Sequence, residues 1–185
     1  MAAHQRTTIA SSFHPPTIVP MSRIRLFALA LLSLGFTACL DTTAPEYATV
    51  EGTTFDSSLG VDLNNSVQTD AGVYYRDITV GTGAVVTPGV ENYMYYDGFL
   101  STGQKFGSLQ PPALPLVITT GVGDFIPGLE IGLQGMKVGG LRQIIIPPIA
   151  GYGLVANGQI PANSVLVFNV QLVNPDGSTG PTTTP

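Results

Sequence analysis

Residues 125 to 152 read FIPGLEIGLQGMKVGGLRQIIIPPIAGY, and they contain the clearest helix pattern in this chain. Apolar residues recur there at spacings of three and four, which places them on one face of a helix. These residues are Ile126, Leu129, Leu133 and Met136. Pro127 suits the first helical turn, and Asp124 lies near the end of the helix that carries partial positive charge. The stretch therefore predicts one short helix that begins near Pro127.

A buried strand is predicted directly after this helix. Gly135, Gly139 and Gly140 end the helix, and the next segment, Leu141 to Ile146, is rich in β-branched residues and stops at Pro147-Pro148. A lone helix of this length is unstable in water, so its apolar face has to pack on a sheet formed by the flanking sequence.

The flanking sequence supplies several short strands that are separated by turn residues. They are predicted at Val73 to Val80, Val90 to Leu100, Leu116 to Thr120 and Ser164 to Val173. In the last strand apolar side chains alternate with Asn169 and Gln171, as in an antiparallel strand with one buried face. The predicted fold class is therefore α+β, with an antiparallel sheet curled over one helix.

The N-terminal sequence has the pattern of a secretion signal. Arg23 and Arg25 precede an apolar run, Leu26 to Phe36, that is short for a membrane span, and small residues follow directly before Cys39. The pattern resembles a bacterial lipoprotein signal, in which Cys39 is lipidated and becomes the mature N-terminus. An ordinary secretion signal with an unused thiol is the alternative.

Five segments are expected along the chain. Residues 1 to 20, which include His4 and His14, form a leader or mis-start, 21 to 38 the signal peptide, 39 to 70 a tether, 71 to 174 the folded domain, and 175 to 185 a disordered tail. Part of the tether has apolar residues spaced so that it could dock on the domain as an added edge strand, and a loose coil is the alternative. These residues are Phe55, Leu59, Val61 and Leu63.

Removal of the leader leaves an acidic protein. Four basic residues remain, against all 12 acidic residues of the chain, so the formal charge is 4 − 12 = −8. Such a surface disfavours nucleic acid as a partner, and it also disfavours attraction to anionic lipid headgroups. Acyl chains on Cys39 would then be the membrane attachment.

The residue types that are absent from the mature chain exclude several chemistries. With no histidine, with Cys39 as its one cysteine, and with no serine in a nucleophile-elbow context, it cannot perform Ser/His or Cys/His acyl transfer. The acids lack the spacing of metal ligands, and no cofactor is expected. The remaining classes are an enzyme that needs no nucleophile and a binding module.

Eight blocks, in this order and at these separations, resemble the FKBP-type peptidyl-prolyl cis-trans isomerases from Val73 to Val173. The blocks are Tyr96-Asp97-Gly98, Gly103 to Phe106, Phe125 to Leu129, Gly135 to Gly139 with Arg142, Ile144 to Pro148, Gly151 to Gly153, Ile160 to Asn163, and Leu166 to Phe168. The resemblance implies a sheet of five or six antiparallel strands around the helix, with a shallow apolar pocket between them.

Site residues follow from the same resemblance. It implies that Tyr96, Phe106, Ile126, Tyr152 and Phe168 are catalytic, and that Leu116, Phe125 and Leu129 bind substrate. In this family the amide N–H at Ile126 and the hydroxyl at Tyr152 would contact the substrate, and the position of Leu129 often holds Trp. One residue departs from the family pattern, because Gly107 stands where an Asp usually follows the first pocket Phe.

The resemblance and the lipoprotein-type signal before Cys39 together lead us to expect a lipid-anchored, monomeric prolyl isomerase that assists protein folding in the bacterial cell envelope, facing the periplasm or the cell exterior. Its partners would be proline-containing polypeptides, and macrolide inhibitors of the family could bind the same pocket. A second hypothesis is a holdase or adaptor that binds proline segments without isomerising them. Gly107 favours this second hypothesis, and the intact aromatic positions favour the enzyme.

Overall fold

The computed structural model describes residues 46 to 180, and in this range seven antiparallel strands form one sheet beside a short helix. The strands are β1 Val67–Gln68, β2 Tyr74–Thr79, β3 Glu91–Leu100, β4 Lys105–Leu109, β5 Leu116–Thr119, β6 Leu141–Ile146 and β7 Leu166–Val173. The helix α1 spans Pro127–Leu133. The predicted fold class is confirmed. The strands predicted from the residue pattern did not include the two-residue edge strand β1 or strand β4.

The sheet order is β1-β2-β6-β7-β3-β4, with β5 paired to β3 beside β4. Strand β3 is long enough to serve both neighbours, since its first half pairs with β5 and its second half with β4. Its other edge pairs with β7 from Tyr93 to Leu100. Strand β3 therefore connects β4 and β5 on one of its edges to β7 on the other.

Helix α1 lies directly on strand β6, because its glycines have no side chains to hold it away. A Cβ atom added at Gly128 would lie 2.3 Å from Cγ2 of Ile146, and one at Gly132 would lie 2.4 Å from Cγ2 of Ile144. Leu129 is buried in the same interface. The helix is shorter than predicted and ends at Leu133, before Gly135 with its φ of 71°.

Arg142 on β6 fastens the C-terminal end of α1 to the sheet. Its Nε and Nη2 donate to the two carboxylate oxygens of Asp77 on β2, at 2.7 and 2.9 Å. Its Nη1 donates to the carbonyls of Gly132 and Gln134, at 2.9 and 3.0 Å, and its guanidinium lies 4.3 Å from the ring centre of Tyr75. Arg142 therefore satisfies carbonyls that a helix end leaves without internal partners.

The segment before β1 packs against the face of the sheet opposite α1. It contributes to a second core of buried residues, which are Val50, Leu59, Tyr74, Ile145, Val165 and Val167. Phe55, Val61 and Leu63 pack against this core. They dock through two 3-10 turns, Ser57–Leu59 and Leu63–Asn65, so the predicted edge strand at these residues is wrong. The edge strand is β1, a few residues later.

Polar contacts hold the same segment in place. The Tyr74 hydroxyl donates to the Glu51 carboxylate, and this hydrogen bond holds the pKa of Glu51 below its ordinary value. Asn163, in a left-handed conformation with a φ of 60°, accepts from the amide of Ala48 at 2.9 Å. The segment from Glu46 onward is therefore part of the folded domain, whereas a tether was predicted up to residue 70.

The C-terminal residues differ from the prediction as well. The amide of Asn174 donates to the carbonyl of Ser178 at 2.8 Å, which closes a turn where a disordered tail was expected. Within residues 46 to 180, no helix is long and apolar enough to cross a membrane. The predicted leader, signal peptide and lipidated Cys39 lie outside the described residues.

Replacing Arg142 tests how far the fold depends on this one side chain. Arg142→Lys keeps the positive charge, but a lysine cannot make the two parallel hydrogen bonds to Asp77 and also donate to the carbonyls of Gly132 and Gln134. We expect the free energy of unfolding, measured with urea, to fall by about 2 to 4 kcal/mol. Arg76→Lys on the neighbouring strand is the control, because Arg76 makes one exposed hydrogen bond, to the carbonyl of Gly60, and should cost about 0.5 kcal/mol. Equal stabilities for the two variants would contradict this account.

Candidate active site

A pocket of about 850 Å³ opens between the sheet and the N-terminal end of α1. All eight site residues implied by the resemblance line it. They are Tyr96, Phe106, Leu116, Phe125, Ile126, Leu129, Tyr152 and Phe168. The structure therefore brings together residues from four strands, one helix and two loops, although residues 96 and 168 lie far apart in the sequence.

The alternation of strand β3 supplies one wall. Met94, Tyr96 and Gly98 face the same side of the sheet, because successive side chains of a strand point to opposite faces. Phe168 on β7 pairs directly with Gly98, and Leu116 on β5 pairs with Met94, so both belong to this face. Strand pairing alone thus places the aromatic rings of Tyr96 and Phe168 on the same face of the sheet as Met94 and Leu116.

Phe106 enters the pocket through a β-bulge. Gly98 pairs with Gly107 and Phe99 pairs with Lys105, which leaves Phe106 as an extra residue without a partner opposite. Bulges of this kind re-aim a side chain. A Cβ atom at Gly98 would lie 2.7 Å from the Phe106 ring, so a glycine is needed for the ring to lie against β3.

Phe168 is the central ring of an aromatic group of three. Its centroid lies 5.5 Å from that of Phe106, with the planes at 77°, and 6.0 Å from that of Tyr96, with the planes at 47°. These are the edge-to-face and tilted arrangements that aromatic pairs prefer. Phe168 is 5% exposed, so this wall is rigid and dry.

The beginning of α1 supplies the floor and a hydrogen-bond donor. Leu129 in the first helical turn is 3% exposed and lines the pocket. Ile126 is the N-cap residue, and its amide N–H donates to no acceptor within residues 46 to 180. A carbonyl bound in the pocket could accept from this N–H.

Glu130 holds the loop that precedes the helix. Its carboxylate accepts from the amide of Gly121 at 2.7 Å and from the amide of Phe125 at 3.2 Å, and the residue is 8% exposed. We expected Asp124 to serve the start of the helix, but Asp124 is exposed and Glu130 has that role. The sequence shows only an acid in an apolar helix, which does not indicate where its carboxylate points.

A second loop closes the pocket and was not predicted. Asn157, Gly158 and Gln159 follow Tyr152 and line the pocket together with Ile160. The amides and carbonyls of Asn157 and Ile160 bond each other, both at 2.9 Å, which makes the loop tip a tight turn. The glycine-containing sequence indicates a turn there, but only the tertiary structure directs it toward the pocket.

The pocket offers apolar walls and few polar groups. The hydroxyls of Tyr96 and Tyr152 make no hydrogen bond with any residue in the described part of the chain. Between residues 46 and 180 no cluster of three or more His, Cys, Asp or Glu could hold a metal ion. The site can therefore enclose an apolar ring and hydrogen-bond the carbonyls beside it, and the described residues that line it include no Ser, Thr, Cys, Lys or His that could act as a nucleophile.

Fold and pocket together define a domain with an apolar pocket under a curled antiparallel sheet. The family model for "FKBP-type peptidyl-prolyl cis-trans isomerase" matches residues 83 to 173. A curated FK506-binding protein from Neisseria meningitidis serogroup B is 41% identical over 103 residues, which cover 55% of this chain and 94% of that protein. The chain belongs to the family of FKBP-type peptidyl-prolyl cis-trans isomerases.

Other relatives share only this domain. FK506-binding protein 4 from Chaetomium thermophilum is 41% identical over 63% of this chain but only 23% of its own length. A Saccharomyces cerevisiae peptidyl-prolyl cis-trans isomerase is 40% identical over 57% of this chain and 25% of its own length.

Solved structures are similar as well. The crystal structure of AtFKBP13 has a TM-score of 0.55 at 30% identity and covers 60% of this chain and 98% of that chain. FkpA from Escherichia coli has a TM-score of 0.56 at 28% identity, over 65% of this chain and 56% of that chain.

Gly107 lies where an added carboxylate would face the pocket. It pairs directly with Gly98, so its side-chain direction is that of Gly98 and Tyr96. A Cβ atom there would lie 3.5 Å from Cε2 of Tyr96 and 3.6 Å from its hydroxyl oxygen, which are ordinary contacts. An Asp at this position would fit without a shift of the backbone, and it could accept a hydrogen bond from the Tyr96 hydroxyl.

We expect Gly107→Asp to raise kcat/KM on a proline peptide by about tenfold, because a hydrogen bond to a charged group contributes about 1 to 3 kcal/mol when it acts in the transition state. Gly107→Ala adds the Cβ without an acceptor, and Gly107→Asn adds a neutral acceptor of the same shape. If Ala gives the same gain as Asp, backbone stiffening rather than the carboxylate is responsible. If none of the three variants gains activity, the side chain at this position has no part in catalysis.

Proposed function

We propose that this protein accelerates the rotation of X-Pro bonds in folding polypeptides of the bacterial cell envelope, without a covalent step. One observation carries the proposal: three packed aromatic rings, an apolar floor and a free amide N–H converge on one pocket. The ring of proline is apolar, as are most of the residues that line this pocket. Its flanking carbonyls match the few donors that the pocket offers.

The mechanism rests on the resonance of the X-Pro amide. Rotation breaks this resonance and meets a barrier of about 18 to 20 kcal/mol, so the uncatalysed bond isomerises in roughly 10 to 100 s. A dry pocket disfavours the dipolar resonance form of the planar amide. The twisted amide has less of that form, so the apolar walls stabilise the transition state more than either planar state.

Two donors would orient the substrate. The amide N–H of Ile126 and the hydroxyl of Tyr152 can each bind one carbonyl beside the proline, while the ring rests on Leu129 between Phe106 and Phe168. Each 1.4 kcal/mol or so by which the pocket binds the twisted amide more tightly than the planar amide raises the rate about tenfold. The macrolide inhibitors of the family would occupy the same pocket and compete with substrate.

A binding module without isomerase activity is the second candidate. The observation that favours it is Gly107, which leaves the Tyr96 hydroxyl without the carboxylate partner expected there. A proline-limited peptide assay separates the two candidates, because a pure binding module would bind the peptide without changing its isomerisation rate.

Phe168→Ala tests whether this pocket is the active site. Removing the central ring should raise the Kd for a proline peptide by roughly 30-fold or more and lower kcat/KM at least as much, since a large buried wall is lost. Phe99→Ala is the matched control, because Phe99 packs in the second core on the opposite face of the sheet. Both variants lose stability, so thermal melting defines a temperature at which both are folded. Equal losses of activity in the two variants would place the substrate elsewhere.

The cellular location is also part of the proposal. A lipid on Cys39 would hold the domain near the membrane, because the chain between Cys39 and the docked Glu46 spans at most about 25 Å. The supporting observations are the apolar run and the small residues before Cys39. The function would then act on polypeptides that fold beside the membrane.

Cys39→Ser tests the anchor. The parent protein should fractionate with membranes and partition into detergent, whereas the variant should not, because it lacks the thiol that carries the lipid. Isomerase activity of the released variant is the control, since residue 39 lies outside the domain and its loss should leave the domain folded. Equal membrane retention of parent and variant would rule out a lipid anchor at this cysteine.

A further inference from the structure

The rim of the pocket carries one unbalanced charge. Among the described residues that line the pocket, Asp124 alone is formally charged. It is exposed, and between residues 46 and 180 its carboxylate accepts no hydrogen bond and pairs with no cation. A free carboxylate at the mouth of an otherwise apolar pocket is available to a substrate.

The position of Asp124 is fixed by its neighbours. Glu130 binds the amides of Gly121 and Phe125, which lie on both sides of Asp124 in the chain. Ile126, whose N–H faces the substrate carbonyl in the proposed mechanism, follows two residues later. Because consecutive Cα atoms are 3.8 Å apart, the carboxylate lies within reach of a long side chain next to the proline.

The cations of the domain do not neutralise this rim. Lys105 donates to Asp97 at 2.8 Å, and both project from the sheet face opposite the pocket. Arg142 is paired with Asp77 and buried. The two other basic side chains of the described domain, Arg76 and Lys137, do not line the pocket either. Glu130 adds a second negative charge behind the loop.

We infer that Asp124 is a specificity-determining residue, which makes the enzyme prefer prolines that are flanked by a Lys or Arg over prolines flanked by an acidic residue. This inference rests on the proposed function, since it concerns the substrate of the same pocket. An exposed ion pair changes an equilibrium constant by about two- to fivefold. Attraction of Lys and repulsion of Glu therefore predict a kcat/KM ratio of about five to ten between matched peptides.

The experiment compares peptides that differ only in the residue next to proline. Lys, Glu and Leu are placed before the proline in one set and after it in a second set, and both kcat/KM and Kd are measured for each. The parent should prefer Lys over Glu in at least one set, and the preference should weaken as salt is raised from about 0.05 to 1 M. Leu serves as the neutral reference within each variant.

Asp124→Asn should bring the Lys-to-Glu ratio close to one, and Asp124→Lys should invert it. Asp70→Asn makes the same charge change at an exposed residue that does not line the pocket, and it should leave the ratio at the parental value. A parental ratio of one, or a ratio that survives Asp124→Asn, overturns the inference.

The Kd values separate this inference from the proposed function. If the peptides bind with the Lys preference but are not isomerised, Asp124 still selects the ligand and the enzymatic proposal fails. If the peptides are isomerised without any charge preference, the enzymatic proposal stands and the role of Asp124 is rejected. If no peptide binds, both fail.

Discussion

The contact on which the rest of the structure depends is that of Arg142 with the end of helix α1. A helix of seven residues is too short to be stable alone, so both of its ends need partners from elsewhere. Arg142 binds the carbonyls at one end and ties them to Asp77 on β2, while Glu130 holds the loop before the other end. The floor of the pocket and its amide donor belong to this helix start, so the site inherits its geometry from these two polar side chains.

Both faces of the sheet are covered. One face carries the pocket, and the other packs against the N-terminal segment. Strands β6 and β7 contribute Ile144 and Phe168 to the core on the pocket side, and Ile145 and Val167 to the core under the N-terminal segment. Burial on both sides makes these strands stiff, because successive side chains of each strand are closely packed in one core or the other. The aromatic wall therefore stands on a support that substrate binding does not need to reorganise.

Much of the sheet could be predicted from the sequence, because short stretches of residues determine where its strands lie. The alternation in β7 and the β-branched run of β6 gave strand bounds that agree closely with the structure. The eight lining residues came from the resemblance to the family and not from the residue pattern itself. Strand β4 was missed because its bulge breaks the alternation at Phe106. Glu130 binds the amides of Gly121 and Phe125 nearby in the chain, and the residue pattern does not indicate these hydrogen bonds. The docking of residues 46 to 54 and the position of the loop at Asn157 depend on contacts between segments that are distant in the sequence, such as that of Ala48 with Asn163.

The pocket has few polar groups, and the cost of leaving them without partners explains how they can select a ligand. In the open site water can satisfy the hydroxyls of Tyr96 and Tyr152 and the amide of Ile126. A bound prolyl peptide displaces that water, and any donor then left without an acceptor costs about 1 to 3 kcal/mol. A ligand that carries carbonyls beside an apolar ring can pack on the apolar walls and satisfy these donors. In the proposed function, selectivity for proline segments would therefore follow from the cost of the wrong ligand as much as from contacts with the right one.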